Sequence, residues 1–518
     1  MSLERDSGIP GGSIGRSLRR VSVLVVGMFA ALFVALSVIQ VGVADDLRDG
    51  PHNTRTRLAT QNVNRGPILV GGEPIAYSVA TDAEIRYQRV YANGPLYAPI
   101  TGRYTLEGLN TGLEAAYDDY LTASARGQFL DLVNSVLTGR EPEGAAVETT
   151  LDPVLQQAAW DALGDQTGAV IAMEPRTGRI LAMVSKPSYD PNLLAAHDVD
   201  AVNQLYASLE ADPAEPLINR AINGDLDPPG STFKLVVAAS ALDSGGYTPD
   251  SEFPNPSELQ LPQSSAVIYN SSGGACGGGS TVTLADAIRL SCNIPMAELA
   301  RELGYSPIKS MANALGFCHG YDVARVMPVI DYGCTQYDQL DLSPMYSTPS
   351  AYPPAPDEPQ TMLSAFGQSS VRASPLQMAM VAGAIANDGV LMAPTLVDSV
   401  ISPTQTPLIT IEPQSLGQPI STAAARALTA MMVASVDSGA AASAAIDGVP
   451  VAGKTGTAEN GPGEPYTLWF TGFAPADNPQ IVVAVVVQNG GGLPPDEQLS
   501  STLSAPIGRA VLEAAIRR

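Results

Sequence analysis

The sequence has few basic residues compared with acidic ones, and few histidines and cysteines. Each of these shortages argues against a class of function. Its 518 residues include 28 Lys and Arg against 52 Asp and Glu, which leaves a net charge of -24. A chain this acidic lacks the basic surface that displaces counterions from phosphate, so general nucleic-acid binding is excluded. The three histidines have no motif around them, which disfavours a Ser-His-Asp hydrolase. The four cysteines are too few for a disulfide scaffold, and no CxxC pair indicates a zinc site.

Lysine is the scarce residue that points to a function. Only four of the 28 basic residues are lysines. A chain that uses arginine wherever a fixed charge suffices can keep lysine where a deprotonatable amine is needed. Each lysine is therefore a candidate functional residue, although lysine can also be retained by chance. The four are Lys186, Lys234, Lys309 and Lys454.

One long apolar run stands near the N-terminus. Residues 21–44 carry no charge, and at about 1.5 Å per residue a helix of this length exceeds the roughly 30 Å hydrocarbon core. Arg16, Arg19 and Arg20 precede it and acidic residues follow it. The positive-inside rule therefore predicts a single-pass anchor in the cell membrane, with a cytoplasmic N-terminus and an extracytoplasmic remainder. A cleaved signal peptide is the alternative, although its apolar region is usually about 7 to 15 residues long.

The chain is predicted to contain four segments. They are a cytoplasmic tail at 1–20, the transmembrane anchor at 21–44, an N-terminal pedestal or dimerisation-like module at 45–147, and a main domain at 148–518. The third segment ends in a Pro- and Gly-containing stretch, 141–146, that is typical of a linker.

The main domain has strand patterns at both ends and helical patterns between them. Apolar runs at 169–173 and 180–184 predict a hairpin, since a turn sequence joins them. This arrangement predicts an α+β fold in which one antiparallel sheet, built from both chain ends, packs against a helical subdomain. Further strands are predicted at 449–457, 467–473 and 481–487, with a helix at 505–516.

Lys234 ends the sequence Pro-Pro-Gly-Ser-Thr-Phe-Lys, which is followed by an apolar run. The Pro-Gly turn predicts a buried helix that begins near Ser231 and carries Ser231 and Lys234 on one face. A lysine among apolar neighbours has a lowered pKa, so its neutral amine can accept the serine proton. The SxxK spacing alone is weak, since Ser306 and Lys309 repeat it. There Ser306 is predicted to cap a helix with Pro307 in its first turn.

Two more short motifs follow in order. Ser291-Cys-Asn293 is predicted inside a helical stretch, and its value depends on its position between the other motifs. A Lys-Thr-Gly triplet is expected by chance far less often than SxxK. Lys454-Thr-Gly-Thr457 is predicted on a strand. There Lys454 can hold an anion, Thr455 and Thr457 offer donors, and Gly456 lets a substrate backbone lie close.

In this order, SxxK, SxN and Lys-Thr-Gly resemble the active-site motifs of penicillin-binding proteins, members of the superfamily that also contains serine β-lactamases. The resemblance extends to Arg65-Gly66, Phe366-Gly-Gln368 and the Trp-Phe-Thr-Gly-Phe sequence at 469–473, and it covers most of residues 60–518. About 100 residues separate the anchor from the main domain, too few for the glycosyltransferase of a class A protein. The chain therefore resembles class B, and is most similar to the short actinobacterial penicillin-binding protein A type.

This resemblance implies a penicillin-binding and serine β-lactamase-like transpeptidase domain, an N-terminal extended module and one transmembrane helix. It implies a peptidoglycan D,D-transpeptidase that needs no metal or other cofactor. Its partners would be stem peptides, β-lactams and a glycan polymerase of the SEDS family. A D,D-carboxypeptidase, a β-lactamase and a non-catalytic scaffold for a polymerase are the alternatives.

The family's mechanism assigns roles to the first two motifs. Ser231 would attack the D-Ala-D-Ala carbonyl while Lys234 accepts its proton. Ser291, bridging Lys234 and Lys454, would relay this proton to the departing D-alanine, and Asn293 would bind the stem-peptide amide.

The third motif would bind the end of the substrate. Lys454 and Thr455 would hold its carboxylate, Gly456 would line the site, and the N–H groups of Ser231 and Thr457 would form the oxyanion hole.

Cys292 in the middle of the SxN triplet departs from the family pattern. Cys276 and Cys292 are 16 residues apart, as are Cys318 and Cys334, which suggests two local disulfides outside the reducing cytoplasm. Four cysteines allow three pairings, and buried free thiols are the alternative.

Overall fold

A computed structural model describes residues 12–42, 62–83, 85–125, 128, 139, 141–224, 226–271, 273–325, 330–331 and 344–517. The chain divides into two compact units, Met1–Asn62 and Val63–Arg518. The predicted boundary between residues 147 and 148 lies inside the second unit and stays a prediction.

The first unit contains one long helix. It runs over Gly12–Ser37 and continues as a π-helical turn over Val38–Gly42. Its stretch Leu18–Gln40 has a mean hydropathy of 2.7 and is long and apolar enough to cross a membrane. The helix thus overlaps the predicted anchor at 21–44, whose last two residues lie outside the described part.

The second unit contains the sheet that was predicted from the two chain ends. All of its neighbouring strands are antiparallel. From one edge to the other, the strands are Ala452–Ala458, Thr467–Ala474, Ile481–Val487, Gly168–Met173 and Ile180–Lys186. The predicted strands and hairpin are therefore confirmed to within a few residues.

Both faces of this sheet are buried. Along the central strand, Val482 and Val486 belong to a large core shared with the helical subdomain. Their neighbours Val483 and Val485 belong to a smaller core on the opposite face. The alternation explains why this strand is apolar at every position instead of every second one. Two helices, Pro153–Leu163 and Ser504–Ile516, close the smaller core.

The remaining helices and short strands connect these layers. The other α-helices in the described residues are Gly94–Thr101, Gly112–Ala116, Asp118–Leu121, Pro191–Leu194, Val199–Glu210, Lys234–Asp243, Leu284–Arg289, Ile294–Leu303, Tyr305–Ala314, Glu358–Ser364, Pro375–Ala386 and Thr422–Ser438. Short antiparallel pairs join Glu252–Pro254 to Thr281–Thr283, Glu258–Gln260 to Val267–Tyr269, His319–Gly320 to Ile330–Asp331, and Leu391–Met392 to Ser415–Gly417.

A second, six-stranded sheet combines distant parts of the sequence. Three strands come from the predicted N-terminal module, and Ala146–Thr149 pairs in parallel with the first of them. The sheet is extended by two strands from much later in the chain, which the sequence did not predict. In spatial order the strands are Pro407–Thr410, Val397–Ile401, Ala146–Thr149, Ile68–Val70, Glu73–Ala80 and Tyr87–Tyr91.

The stretch 141–146 was wrongly predicted to be a linker. Its last residue begins a strand of the six-stranded sheet. Gly144 and Ala145 are buried, and Gly144 donates its N–H to the Asn64 carbonyl. The glycine is needed for close packing, because a Cβ on Gly144 would lie 1.8 Å from the Leu121 carbonyl oxygen.

A buried ion cluster holds the start of the six-stranded sheet. The Glu114 carboxylate is fully buried and accepts hydrogen bonds from Nε of Arg65, at 2.5 Å, and Nε of Arg89, at 2.6 Å. Arg89 also donates to the carbonyls of Arg65 and Gly66. Burial alone would raise the pKa of Glu114, but the charges of Arg89 and Arg65 lower it overall. The carboxylate is therefore the anion that two buried guanidinium groups share.

We expect Glu114→Gln to lower the free energy of unfolding by about 3–5 kcal/mol, because it leaves the buried Arg89 without its anion and Arg65 with only the partly exposed Asp118. Urea unfolding at pH 7 measures this loss. Glu141→Gln is the matched control, since it breaks the exposed pair with Arg86 and should cost less than about 1 kcal/mol. Equal losses in the two variants would contradict the role of the cluster.

Candidate active site

The predicted nucleophile Ser231 lies on a tight turn held from several sides. The turn is a 3-10 helix, Gly230–Phe233, that leads directly into the helix Lys234–Asp243. The indole N–H of Trp469 donates to the Pro228 carbonyl at 2.9 Å. Ser231 is half-buried, and its hydroxyl makes no hydrogen bond with any residue that the structure describes.

Two glycines allow this turn to approach other backbone segments. Gly230 has a φ of +53° and donates its N–H to the Gly367 carbonyl at 3.2 Å. A Cβ on Gly367 would lie 2.2 Å from the Gly230 carbonyl oxygen. The Phe366-Gly-Gln368 sequence noted above therefore supports the serine turn by contact.

Lys234 is completely buried and turned toward the SxN motif. Its Nζ lies 2.7 Å from the Ser291 carbonyl oxygen, 2.8 Å from Oδ1 of Asn293 and 3.4 Å from Oγ of Ser291. The structure thus joins Lys234, Ser291 and Asn293 directly; the contact with Asn293 was not expected, and the role of Asn293 at the stem-peptide amide stays a prediction. The side chains of Lys234 and Ser231 are not hydrogen-bonded to each other.

Ser291 lies between two helices and not inside one, so the prediction of a helical stretch was wrong here. The first helix, Leu284–Arg289, ends before it, and the second, Ile294–Leu303, begins after it. Ser291 has a φ of +62°, a left-handed conformation that costs a residue with a side chain about 1–3 kcal/mol. Because of this break, both the carbonyl and the hydroxyl of Ser291 reach the Lys234 amine.

Lys454 reaches Ser291 from the edge strand of the five-stranded sheet. Its fully buried Nζ lies 2.7 Å from the Ser291 hydroxyl and 2.9 Å from the Thr455 carbonyl oxygen. Ser291 therefore bridges the two lysines. Among the described residues, no carboxylate lies within 4 Å of either amine.

Burial lowers the pKa values of both amines. Burial first, and then the charge of Lys454, hold the pKa of Lys234 well below its usual value. Burial lowers the pKa of Lys454 to about 7. At neutral pH, Lys454 is accordingly partly protonated, and the environment of Lys234 favours its neutral form.

Gly456 was expected to let a substrate backbone lie close, but the structure gives a second reason for a glycine at this position. A Cβ on Gly456 would lie 2.8 Å from the Pro229 carbonyl oxygen and 3.1 Å from the Thr232 nitrogen. The missing side chain therefore makes room for the serine turn, and not only for a substrate. A contact between the Gly456 backbone and a substrate stays a prediction.

The threonines of the third motif have partners on the protein. The Thr455 hydroxyl donates to the Ala440 carbonyl at 3.4 Å, and the Thr457 hydroxyl lies 3.1 Å from Oγ of Ser500. A Cβ on Gly230 would lie 2.9 Å from the Thr457 carbonyl oxygen, so Thr457 is next to the serine turn. Their roles at the carboxylate and in the oxyanion hole stay predictions.

One of the two suggested disulfides is described completely. Cys276 and Cys292 are bonded, which ties the Gly-rich loop to the residue after Ser291. Cys318 is disulfide-bonded as well, and Cys334 lies outside the described residues. The alternative of buried free thiols is wrong for the three described cysteines.

The other two lysines have structural roles. Lys186 donates to the carbonyls of Trp160 and Gly164 near the end of a helix, and its amine lies over the Trp160 ring. Lys309 is half-buried and donates to the Pro354 carbonyl. Ser306, the serine of the same SxxK sequence, is not the predicted N-cap. The helix Tyr305–Ala314 begins one residue before it, and Gly304 is the N-cap.

Sequence reasoning missed Asn270, which helps to position the SxN motif. Its Oδ1 accepts the N–H groups of Asn293 at 2.9 Å and Ile294 at 3.0 Å. Asn270 thereby satisfies the free N–H groups at the start of the helix Ile294–Leu303, as a local cap residue would. The sequence offered no signal for this, since the cap comes from 23 residues earlier in the chain.

An open cleft adjoins the serine turn beyond the end of the Lys454 strand. Its volume is about 1100 Å³, and its lining includes Asp227, Pro228, Arg372, Glu459 and Gln498. In the described part of the chain, no group of three or more His, Cys, Asp and Glu side chains could hold a metal ion.

The chain is similar to known proteins over most of its length. A family model for the penicillin binding protein transpeptidase domain matches residues 168–513, and one for the penicillin binding protein A dimerisation domain matches residues 65–147. The chain is 41% identical over 512 residues to the peptidoglycan D,D-transpeptidase PbpA of Mycolicibacterium smegmatis, covering 97% of this chain and 99% of that relative. The chain belongs to the penicillin-binding protein transpeptidases.

Solved structures agree with this assignment. The chain is 40% identical to PbpA of Mycobacterium tuberculosis, with 97% of this chain and 99% of that relative covered. The ceftriaxone acyl-enzyme complex of penicillin-binding protein A from that organism matches with a TM-score of 0.81 and 39% identity, over 89% of this chain and 100% of that one. Its penicillin G acyl-enzyme complex matches with a TM-score of 0.78 and 39% identity, over 88% and 100%.

We expect Gly456→Ala to disturb the serine turn, because the new Cβ would overlap the Pro229 carbonyl oxygen. Overpacking of this kind lowers the free energy of unfolding by about 1–3 kcal/mol, which thermal or urea unfolding measures. Gly274→Ala is the matched control, since nothing lies within 4 Å of its Cβ position. A Gly456→Ala protein as stable as the control would contradict the close contact.

Proposed function

We propose that this chain is a peptidoglycan D,D-transpeptidase that forms an acyl-enzyme on Ser231 and is a target of β-lactams. The observation that carries the proposal is the convergence of Lys234 and Lys454, both fully buried, on the single residue Ser291 next to the serine turn. The relatives and solved structures described above support the same activity.

The state of Lys234 suits it to be the general base. A neutral amine has two N–H donors and one lone pair, and the Ser291 carbonyl and Asn293 Oδ1 can accept the two donors. The lone pair then accepts the Ser231 proton as Oγ attacks the D-Ala-D-Ala carbonyl. The N–H groups of Ser231 and Thr457 stabilise the oxyanion.

The acyl-enzyme forms when the C–N bond to the terminal D-alanine breaks. The leaving nitrogen takes the proton from Lys234 through the Ser291 hydroxyl, which both lysines contact. An amine of a second stem peptide then attacks the ester carbonyl and releases Ser231. The new amide cross-links two strands, and no metal or other cofactor takes part.

The edge strand provides a place for the substrate. Because Ala452–Ala458 is at the edge of its sheet, an extended peptide can pair along it. Lys454 and Thr455 hold the terminal carboxylate of the stem, or that of a β-lactam. Lys454 uses two of its three N–H groups within the protein and has one left for this anion.

The predicted location completes the proposal. The apolar helix near the N-terminus spans the cell membrane once, with residues 1–20 in the cytoplasm and the catalytic domain outside. There the enzyme meets newly made glycan strands, and a SEDS-family glycan polymerase is its membrane partner. Co-purification of the polymerase with the full chain, and its loss when residues 1–147 are replaced, tests this partnership.

We expect Ser231→Ala to abolish covalent labelling by fluorescent penicillin, because it removes the attacking oxygen. Intact-mass analysis after penicillin treatment measures the adduct. Ser306→Ala is the matched control, since it changes the serine of the other SxxK sequence and should label normally. Full labelling of Ser231→Ala would refute the assignment, and normal wall growth with that variant would favour a non-catalytic scaffold.

The lifetime of the adduct separates the related activities. A penicillin adduct that persists for hours agrees with acyl transfer to an amine, whereas rapid hydrolysis would indicate a β-lactamase. A stem pentapeptide that loses D-alanine to water even when an amine acceptor is supplied would indicate a D,D-carboxypeptidase.

We expect penicillin acylation to slow as the pH rises through about 7, where Lys454 loses its proton. The positive charge that attracts the β-lactam carboxylate is present below this pH and is lost above it. The second-order rate constant should then approach a fall of about tenfold per pH unit. A penicillin methyl ester, which has no carboxylate, is the control and should lack this fall. A flat profile for penicillin up to pH 9 would contradict the role of Lys454.

A further inference from the structure

Asp227 is a half-buried carboxylate four residues before Ser231 that the mechanism above does not use. Its Oδ1 accepts a hydrogen bond from the Thr467 hydroxyl at 3.1 Å, and its Oδ2 accepts one from Nε2 of Gln488 at 2.7 Å. Thr467 is the first residue of one strand of the five-stranded sheet, and Gln488 directly follows the next strand. Asp227 therefore joins the segment before the nucleophile to the ends of two strands.

Two branches of hydrogen bonds reach the Asp227 carboxylate. In one, the Asn460 amide donates to the Thr467 hydroxyl at 3.1 Å, and the Thr467 hydroxyl donates to Asp227 at 3.1 Å, with Oδ1 of Asn460 as a more distant acceptor at 3.5 Å. On the other side, Nε of Arg220 donates to Oε1 of Gln488 at 3.0 Å, and the Gln488 amide donates to Asp227. A carboxylate is the one group in this network that only accepts, so its charge orders both branches.

One branch of the network reaches the loop that follows the Lys-Thr-Gly strand. Asn460 also donates to the Pro465 carbonyl at 2.7 Å, which closes the loop 460–465 on itself. This loop forms one wall of the cleft beside the serine turn, and Asp227 lies on another wall. The same carboxylate is thus connected to the turn that carries Ser231 and to the loop after Thr457.

The connection from Asp227 to Ser231 is stiff. Pro228 and Pro229 lie between Asp227 and Gly230, and each proline ring fixes its own φ near −65°. The backbone of Asp227 is also held, because its carbonyl accepts the Ala373 N–H at 2.9 Å. A shift of Asp227 would therefore be passed to the serine turn instead of being absorbed by the intervening residues.

We propose that Asp227 is a positioning residue for acyl transfer: its carboxylate ties the serine turn to the strand ends and to the loop 460–465, so that Ser231 and Thr457 keep their relative places. This inference rests on the proposed function, since it concerns the reaction of Ser231. Asp227 touches no reacting atom and acts through the backbone that it holds.

The charge of Asp227 is kept at a cost to stability. Burial raises its pKa, and the hydrogen bonds from Gln488 and Thr467 and the charges of Arg372 and Arg220 only partly offset this effect. A raised pKa means that the charged form is less stable in the folded protein than in the unfolded chain. A neutral residue in place of Asp227 is thus not expected to lower the free energy of unfolding. A charged group at a position where it does not stabilise the fold agrees with a functional role.

The test compares Asp227→Asn with the full-length wild-type chain by stopped-flow acylation with a chromogenic β-lactam. We expect the second-order rate constant of the variant to fall about tenfold at pH 8, because a small misplacement of reacting groups has effects of this size or larger. The midpoint of thermal unfolding should not fall. The ratio of wild-type to variant rate should decline toward one as the pH is lowered through the raised pKa of Asp227, because a protonated Asp227 resembles the asparagine.

Two further variants keep the test decisive. Thr467→Val removes the hydroxyl that joins Asn460 to Asp227 and should also slow acylation, which decides the question if Asp227→Asn does not fold. Asp398→Asn is the control, since Asp398 is a carboxylate of similar exposure that pairs with Arg179 beside the six-stranded sheet. It should leave the rate unchanged.

The possible results separate the two proposals. An unchanged rate in Asp227→Asn and Thr467→Val would overturn the positioning role while leaving the function intact. A wild-type chain that no β-lactam acylates would instead refute the proposed function.

Discussion

The burial of two amines around one serine is the constraint on which the rest of the site depends. Lys234 and Lys454 are both excluded from water, and the described residues offer them no carboxylate within 4 Å. Two full positive charges in such a place would be very costly, so at least one amine must be neutral. The burial that lowers the pKa of Lys234 therefore also favours the neutral amine that a base requires.

Burial of both amines requires close packing between backbone segments that are far apart in the sequence. The Lys454 strand can lie against the serine turn because Gly456 has no side chain there. The turn rests in the same way against Gly367. These contacts seal the lysines from water, so the glycines act on the chemistry through packing. The five-stranded sheet, built from both chain ends, holds the third motif in register with the serine turn.

The sequence predicted the parts of this arrangement that local chemistry determines. The apolar runs predicted the sheet, and the SxxK motif predicted that Lys234 is buried in a helix that follows Ser231. Their roles as base and nucleophile stay predictions. It could not predict the conformation of Ser291 or the position of Asp227, because both depend on partners far along the chain. The six-stranded sheet was missed for the same reason, since Val397–Ile401 completes a module that begins at residue 65.

The left-handed conformation of Ser291 shows how such distant partners act together. The conformation is unfavourable by itself, so the surrounding structure must hold it. The disulfide between Cys276 and Cys292 fixes the next residue, and Asn270 accepts the N–H groups of the two that follow. Both restraints come from the Gly-rich loop and the strand before it. That part of the chain, far from the nucleophile in sequence, thereby keeps the Ser291 oxygen atoms on the two amines.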